Sequence, residues 1–138
     1  MDTRKTIKDA LGINTATVSV DDTLHDALKL LGQYNATALL VAAGNDTVGI
    51  ITISDIMYSL AKDEDPQKIP VSSFMTQCEL ISTETANTPC VQLDEDEEIF
   101  SAIKVMNEAG VNHVLVSGNG GKPVGMVSSL DIIKVLVA

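Results

Sequence analysis

The chain has 138 residues, 45% of them apolar and only 3% aromatic, with no tryptophan. That composition supports a compact aliphatic core, as one domain or two half-domains sharing it, and argues against a disordered chain. Nineteen acids against nine bases give a net charge of −10, and Arg4 is the single arginine; with no basic face to displace counterions, nucleic acid and anionic membrane surfaces are excluded as partners.

In chain order, Thr6 to Leu11 is a short amphipathic opening capped by Gly12. Ala16 to Val20 alternates apolar and polar residues and predicts a strand. Asp22-Thr23 offers an N-cap for a helix running to Tyr34. Ala38 to Ala42 and Val48 to Ile53 are strands joined by the hairpin signal Gly44-Asn45-Asp46, and a helix spans Asp55 to Ala61. Charged, proline-bearing Lys62 to Pro70 reads as a connection. Beyond it come a strand at Val91 to Leu93, a helix at Asp96 to Ala109, strands at His113 to Val116 and Val124 to Val127, and a helix at Leu130 to Leu136. No apolar run reaches the roughly 18 residues of a spanning helix, and no signal-peptide pattern opens the chain, so a cytoplasmic location is expected. In that setting Cys78 and Cys90, which could in principle close a loop but lack metal-like spacing or a nearby His, read as reduced thiols.

The second half repeats the first. Leu24, Ala27, Leu28, Leu30, Leu31 and Tyr34 recur 75 positions later as Ile99, Ala102, Ile103, Val105, Met106 and Ala109. Leu39-Leu40-Val41 falls on Val114-Leu115-Val116, and Gly49-Ile50-Ile51-Thr52-Ile53-Ser54-Asp55 on Gly125-Met126-Val127-Ser128-Ser129-Leu130-Asp131. Thr6 to Gly12 also overlays Pro70 to Thr76, and the second copy carries an 11-residue insertion within the polar stretch Gln77 to Pro89. Residues 1–65 therefore form one repeat with its lead-in helix, and residues 66–138, including the inserted loop 77–89, form the other.

Each repeat ends a strand with Gly-x-x-[Thr/Ser]-x-x-Asp and enters a helix. Thr52 and Ser128 fall where free backbone N–H groups favour an anion, and Asp55 and Asp131 are suited to accept from vicinal ribose hydroxyls. The glycine permits close approach of a base or of backbone. The same spacing is a helix capping box, so capping and ligand binding are both open readings.

The duplicated β-α-β-β-α order, Asp22-Thr23-Leu24-His25-Asp26-Ala27, Val71-Ser72-Ser73-Phe74-Met75-Thr76 and both Gly-x-x-[Thr/Ser]-x-x-Asp endings resemble a tandem pair of cystathionine-β-synthase (CBS) domains, a Bateman module. The resemblance implies an α/β (α+β) fold of two pseudo-symmetric repeats packed through their sheets, with two clefts for adenosine-containing ligands: AMP, ADP, ATP or S-adenosylmethionine, with or without Mg²⁺. It maps ribose binding onto Asp55 and Asp131, phosphate-side hydroxyls onto Thr52 and Ser128, and base contact onto Thr17 and Gln92, with adenine between apolar strand residues such as Ile50 and Val127. A basic residue often found before the second strand in the family is Ala38 in one repeat and His113 in the other, which makes the cleft with His113, Ser128 and Asp131 the better phosphate site.

Asp94 to Glu98 is an acidic run before a helix, where it complements the dipole. Gly118 to Lys122 lacks phosphate-loop spacing and reads as a hairpin turn. No catalytic set and no metal-ligand spacing emerges. The expectation is a non-enzymatic regulatory module, energy-sensing in type, that signals to a regulated protein and forms homodimers through its helices, with Ile56, Ile132, Ile133 and Leu136 as candidates for that surface and equally for the intramolecular core. The alternative is an interaction or dimerisation module whose clefts bind nothing.

Overall fold

The computed structural model describes residues 4–11, 16–78 and 90–138. Gly12 and residues 79–89, assigned above to a helix cap and an inserted loop, lie outside the described residues. The fold is mixed α/β, with β1 (Ala16–Ser19), α1 (Leu24–Tyr34), β2 (Ala38–Ala43), β3 (Asp46–Thr52), α2 (Ile53–Leu60) and β4 (Thr76–Gln77) in the first half. The second half contributes β5 (Gln92–Asp94), α3 (Ile99–Ala109), β6 (His113–Ser117), β7 (Pro123–Ser128) and α4 (Ser129–Leu136). One sheet has the order β1-β2-β3-β4 and the other β5-β6-β7, with a parallel first pair and antiparallel pairs after it.

Local chemistry sets the helix ends. Thr23, Thr52 and Ser128 each accept from the backbone N–H three residues on, and the acid at that position accepts from the cap's own N–H. Helices α2 and α4 therefore start at Ile53 and Ser129, immediately after their caps, and earlier than apolar periodicity alone places them. Glu98, the last acid of the 94–98 run, is the extended residue before α3. Gly44 takes φ +63° in the β2–β3 hairpin, and Gly120 and Gly121 take +76° and +75° in the 3-10 turn before β7, confirming a turn there.

The chain divides into two compact units, Met1–Ile13 with Val91–Ala138, and Asn14–Cys90. This partition differs from the sequence repeats, because each lead-in packs with the other repeat's elements. Ile7 N–H donates to Glu97 O and Lys8 N–H to Glu95 O, while Ile99 N–H donates to Lys5 O. In the other unit Leu24 N–H donates to Ile69 O and Val71 N–H to Asp22 O. The side chains follow the backbone. Ile7 and Ala10 are buried with Ile99, Ala102, Met106 and Ile132, and Ile69 and Val71 with Leu24, Ala27, Leu39 and Ile56. Ile7→Ala should thus destabilise the protein by about 2–5 kcal/mol, a core penalty, although sequence places Ile7 in a short opening segment. A urea melt showing a loss below roughly 0.5 kcal/mol, the level of an exposed site, would contradict this packing.

Two expectations change. Tyr34, the last position of the first helical stripe, is exposed at the end of α1. Cys78 and Cys90 are joined as a disulfide with their Cα atoms 5.1 Å apart, within the usual bridging range. The reading as reduced thiols is corrected: spacing along the chain is silent on a pair that folding brings together across 12 positions. Closing a loop of this size contributes about 3 kcal/mol in the chain-entropy account.

Candidate functional site

Both copies of the strand-to-helix motif take the same form. In Asn14–Cys90, Thr52 N–H donates to Asp55 Oδ2 at 2.9 Å and Asp55 N–H to Thr52 Oγ1 at 3.3 Å. In the other unit, Ser128 N–H donates to Asp131 Oδ2 at 2.9 Å and Asp131 N–H to Ser128 Oγ at 3.1 Å. The capping reading is therefore correct at both places. Ligand binding stays compatible with it, because each box engages Oδ2 and leaves Oδ1 outside it.

The glycine of the first copy has a structural cause. A Cβ on Gly49 would lie 2.5 Å from Thr76 O, so the residue must be glycine for β4 to pair with β3. Among the described residues, a Cβ on Gly125 would meet only the Leu11 Cδ2 methyl, at 3.1 Å.

Strand register groups the remaining candidates. Thr17, Leu40, Ile50 and Thr76 form one row across β1 to β4, and Gln92, Leu115 and Met126 form the matching row across β5 to β7. Thr17 and Ile50 therefore share a sheet face, as Gln92 and Met126 do. Val127 sits on the opposite face, fully buried among Ile99, Ala102 and Val114. Met126 is the residue equivalent to Ile50, and it takes the place of Val127 in the candidate set. In apolar pairs such as Ile50-Ile51 and Met126-Val127, side-chain type cannot tell the two faces apart. Gln92 Nε2 donates to Gly121 O at 3.4 Å.

His113 opens β6 directly opposite Ser128, as Ala38 lies opposite Thr52. Burial pushes its imidazole below the ordinary histidine value, and the Asp131 carboxylate opposes that shift. The neutral form is thus favoured in the folded state, so stability rises with pH between the folded-state value and the ordinary value of about 6.5, and is lost as pH falls through that interval. Urea melts from pH 5 to 8 should show this slope, and His113→Gln should flatten it. A slope unchanged by the substitution would assign the effect to another group.

Among the described residues, no three His, Cys, Asp or Glu side chains gather closely enough to hold a metal ion, and no helix is long and apolar enough to cross a membrane.

The sequence profile of the CBS domain matches this chain twice, over residues 7–62 and 81–138. The chain belongs to the CBS domain family. Among solved structures, this CBS pair is similar to an uncharacterized conserved protein from Pyrococcus horikoshii, with TM-score 0.79 and 22% identity over 100% of this chain and 96% of that one. It is also similar to the CBS domain pair of protein MJ0100 in complex with 5′-methylthioadenosine and S-adenosyl-L-methionine, with TM-score 0.73 and 25% identity over 96% of each chain. Among curated relatives, the mitochondrial CBS domain-containing protein CBSX3 of Arabidopsis thaliana is 27% identical over 86% of this chain and 55% of its own length. The CBS pair spans between 36% and 50% of the length of three further relatives.

Proposed function

We propose that this CBS pair is a non-enzymatic regulatory module that binds an adenosine-containing ligand and signals to a partner protein. The observation that carries the reading is the matched placement of Asp55 and Asp131. Each is the third residue of a helix, with one carboxylate oxygen outside the capping box, and each follows a strand whose sheet face presents Ile50 or Met126. A carboxylate there suits a ribose diol, the apolar row suits adenine, and Thr17 and Gln92 suit its edge. The adenosyl ligands named for the MJ0100 pair support the same class.

In the second repeat, His113 beside Ser128 adds a group that can donate to phosphate, so AMP, ADP or ATP is expected to bind more tightly there than in the first repeat, with Mg²⁺ helping a longer phosphate chain against the net charge of −10. S-adenosylmethionine, which carries no phosphate, needs only the carboxylate and the apolar row. The deciding experiment is a thermal-shift screen against AMP, ADP, ATP, adenosine, S-adenosylmethionine and GTP, with and without Mg²⁺. A selective adenosyl shift supports the sensor, and a flat response at millimolar ligand removes it.

A second reading, an interaction module, is favoured by exposed apolar stripes. Ile53, Met57 and Leu60 lie along α2 beside Tyr58, whose ring carries the Lys62 ammonium 4.9 Å from its centroid. Leu130, Ile133 and Val137 form a stripe on α4 and the residue after it. Of the four residues open to either a dimer surface or the core, Ile56 and Ile132 belong to the cores, Leu136 packs against one, and Ile133 is exposed. Self-association through these stripes fits both readings, and only ligand binding separates them.

A further inference from the structure

The lead-in to the second repeat ends inside the first repeat's candidate site. β4 has two residues at the edge of its sheet, with Thr76 in register with Ile50 and Gln77 with Gly49. Thr76 is buried, at 9% exposure, and its hydroxyl donates to the Asp55 carboxylate, 3.2 Å from Oδ2 and 3.4 Å from Oδ1. Oδ2 also accepts from Thr52 N–H. A ribose diol directed at Asp55 therefore competes with Thr76 for the carboxylate. In the sequence overlay the position of Thr76 is Gly12, which carries no hydroxyl, and among the described residues the hydrogen bonds of Asp131 are those of its own capping box.

Two residues beyond Thr76, Cys78 donates its N–H to Val48 O at 3.0 Å and is bridged to Cys90. That cross-link extends and anchors an edge strand whose two register pairs give it little independent hold. We propose that Thr76, held by the Cys78–Cys90 disulfide, occupies the first repeat's carboxylate, and that reduction of the bridge by a dithiol releases β4 and opens Asp55 to a ligand diol. The second repeat's Asp131, whose overlay position carries no hydroxyl, is expected to bind its ligand independently of the bridge. The exchange balances: one thiolate of the dithiol attacks a cysteine sulfur and expels the other cysteine as a thiolate, a mixed disulfide forms, and the reductant's second sulfur displaces the first cysteine to close its own disulfide. Two electrons and two protons pass to Cys78 and Cys90, which end as thiols. The proposal rests on the adenosine-ligand reading and adds thiol control of one of its two sites.

The test is calorimetric titration of the full chain with AMP, before and after treatment with dithiothreitol, with thiols counted in each sample. One AMP per chain is expected with the bridge intact, lost in Asp131→Asn. A second is expected after reduction, lost in Asp55→Asn. Thr76→Val and Cys78→Ser should each take up two without reductant. A ligand-free readout runs alongside: amide hydrogen exchange at Cys78 should accelerate roughly tenfold or more on reduction, while Val41 in the core stays protected. Two AMP bound with the bridge intact, a stoichiometry indifferent to reduction, or unchanged exchange at Cys78 each overturns the proposal. If AMP binds in neither redox state, nor to Thr76→Val, the adenosine reading fails, and the Cys78 exchange rate alone decides whether the bridge holds β4.

Discussion

An adenosyl ligand at about 100 times its Kd should raise the melting temperature of this CBS pair by roughly 10 °C, and Asp131→Asn should remove most of that shift. Binding to the native state alone at that excess adds about 2.7 kcal/mol, and for a domain of this size each kcal/mol moves the midpoint by roughly 3–5 °C. Asn keeps an oxygen that can accept from Ser128 N–H, so the cap at α4 survives while the charge that holds a diol is lost. The substitution therefore separates the two roles that coexist at Asp131. Full retention of the shift in Asp131→Asn would move the working site to Asp55 or off the carboxylates. An unliganded protein already destabilised by more than about 2 kcal/mol, beyond the cost of a lost cap, would show that the charge serves the fold.

Gly49→Ala should cost about 2–3 kcal/mol, whereas Gly125→Ala should cost less than about 1 kcal/mol, although the two glycines occupy the same place in the repeated motif. The difference lies in what each new methyl meets. At Gly49 it lies 2.5 Å from the Thr76 carbonyl oxygen, a backbone atom held by β3–β4 pairing together with the Cys78–Cys90 bridge. At Gly125 it lies 3.1 Å from a terminal methyl of Leu11, which rotates away at little cost. Urea melts of the two variants give the comparison directly, and equal losses would mean that β4 is not held against Gly49. Because Thr76 also covers Asp55, Gly49→Ala should loosen that contact together with the strand.

Much of this molecule is local and therefore legible. The helix stripes from Leu24 and Ile99, the strand pairs, and the Thr52–Asp55 and Ser128–Asp131 boxes all depend on residues three or four apart or on simple alternation. The doubling of those patterns in register leads to the CBS family before any contact is known. Register then completes the placement of Thr17 and Gln92, which share faces with Ile50 and Met126.

The remainder depends on chain segments that meet only after folding. That Ile7 packs with Ile99, and Val71 with Leu24, cannot be read from a repeat, because either lead-in has the apolar residues to fill either core. The Cys78–Cys90 bridge spans 12 positions and the Thr76–Asp55 hydrogen bonds span 21, distances over which sequence spacing constrains nothing. The exchange of Val127 for Met126 turns on which face of a strand meets the core, and two adjacent apolar residues leave that undecided until the sheet is packed. Repeat, helix starts and family thus follow from short-range chemistry in the chain, while the Thr76 contact on Asp55 arises from long-range packing.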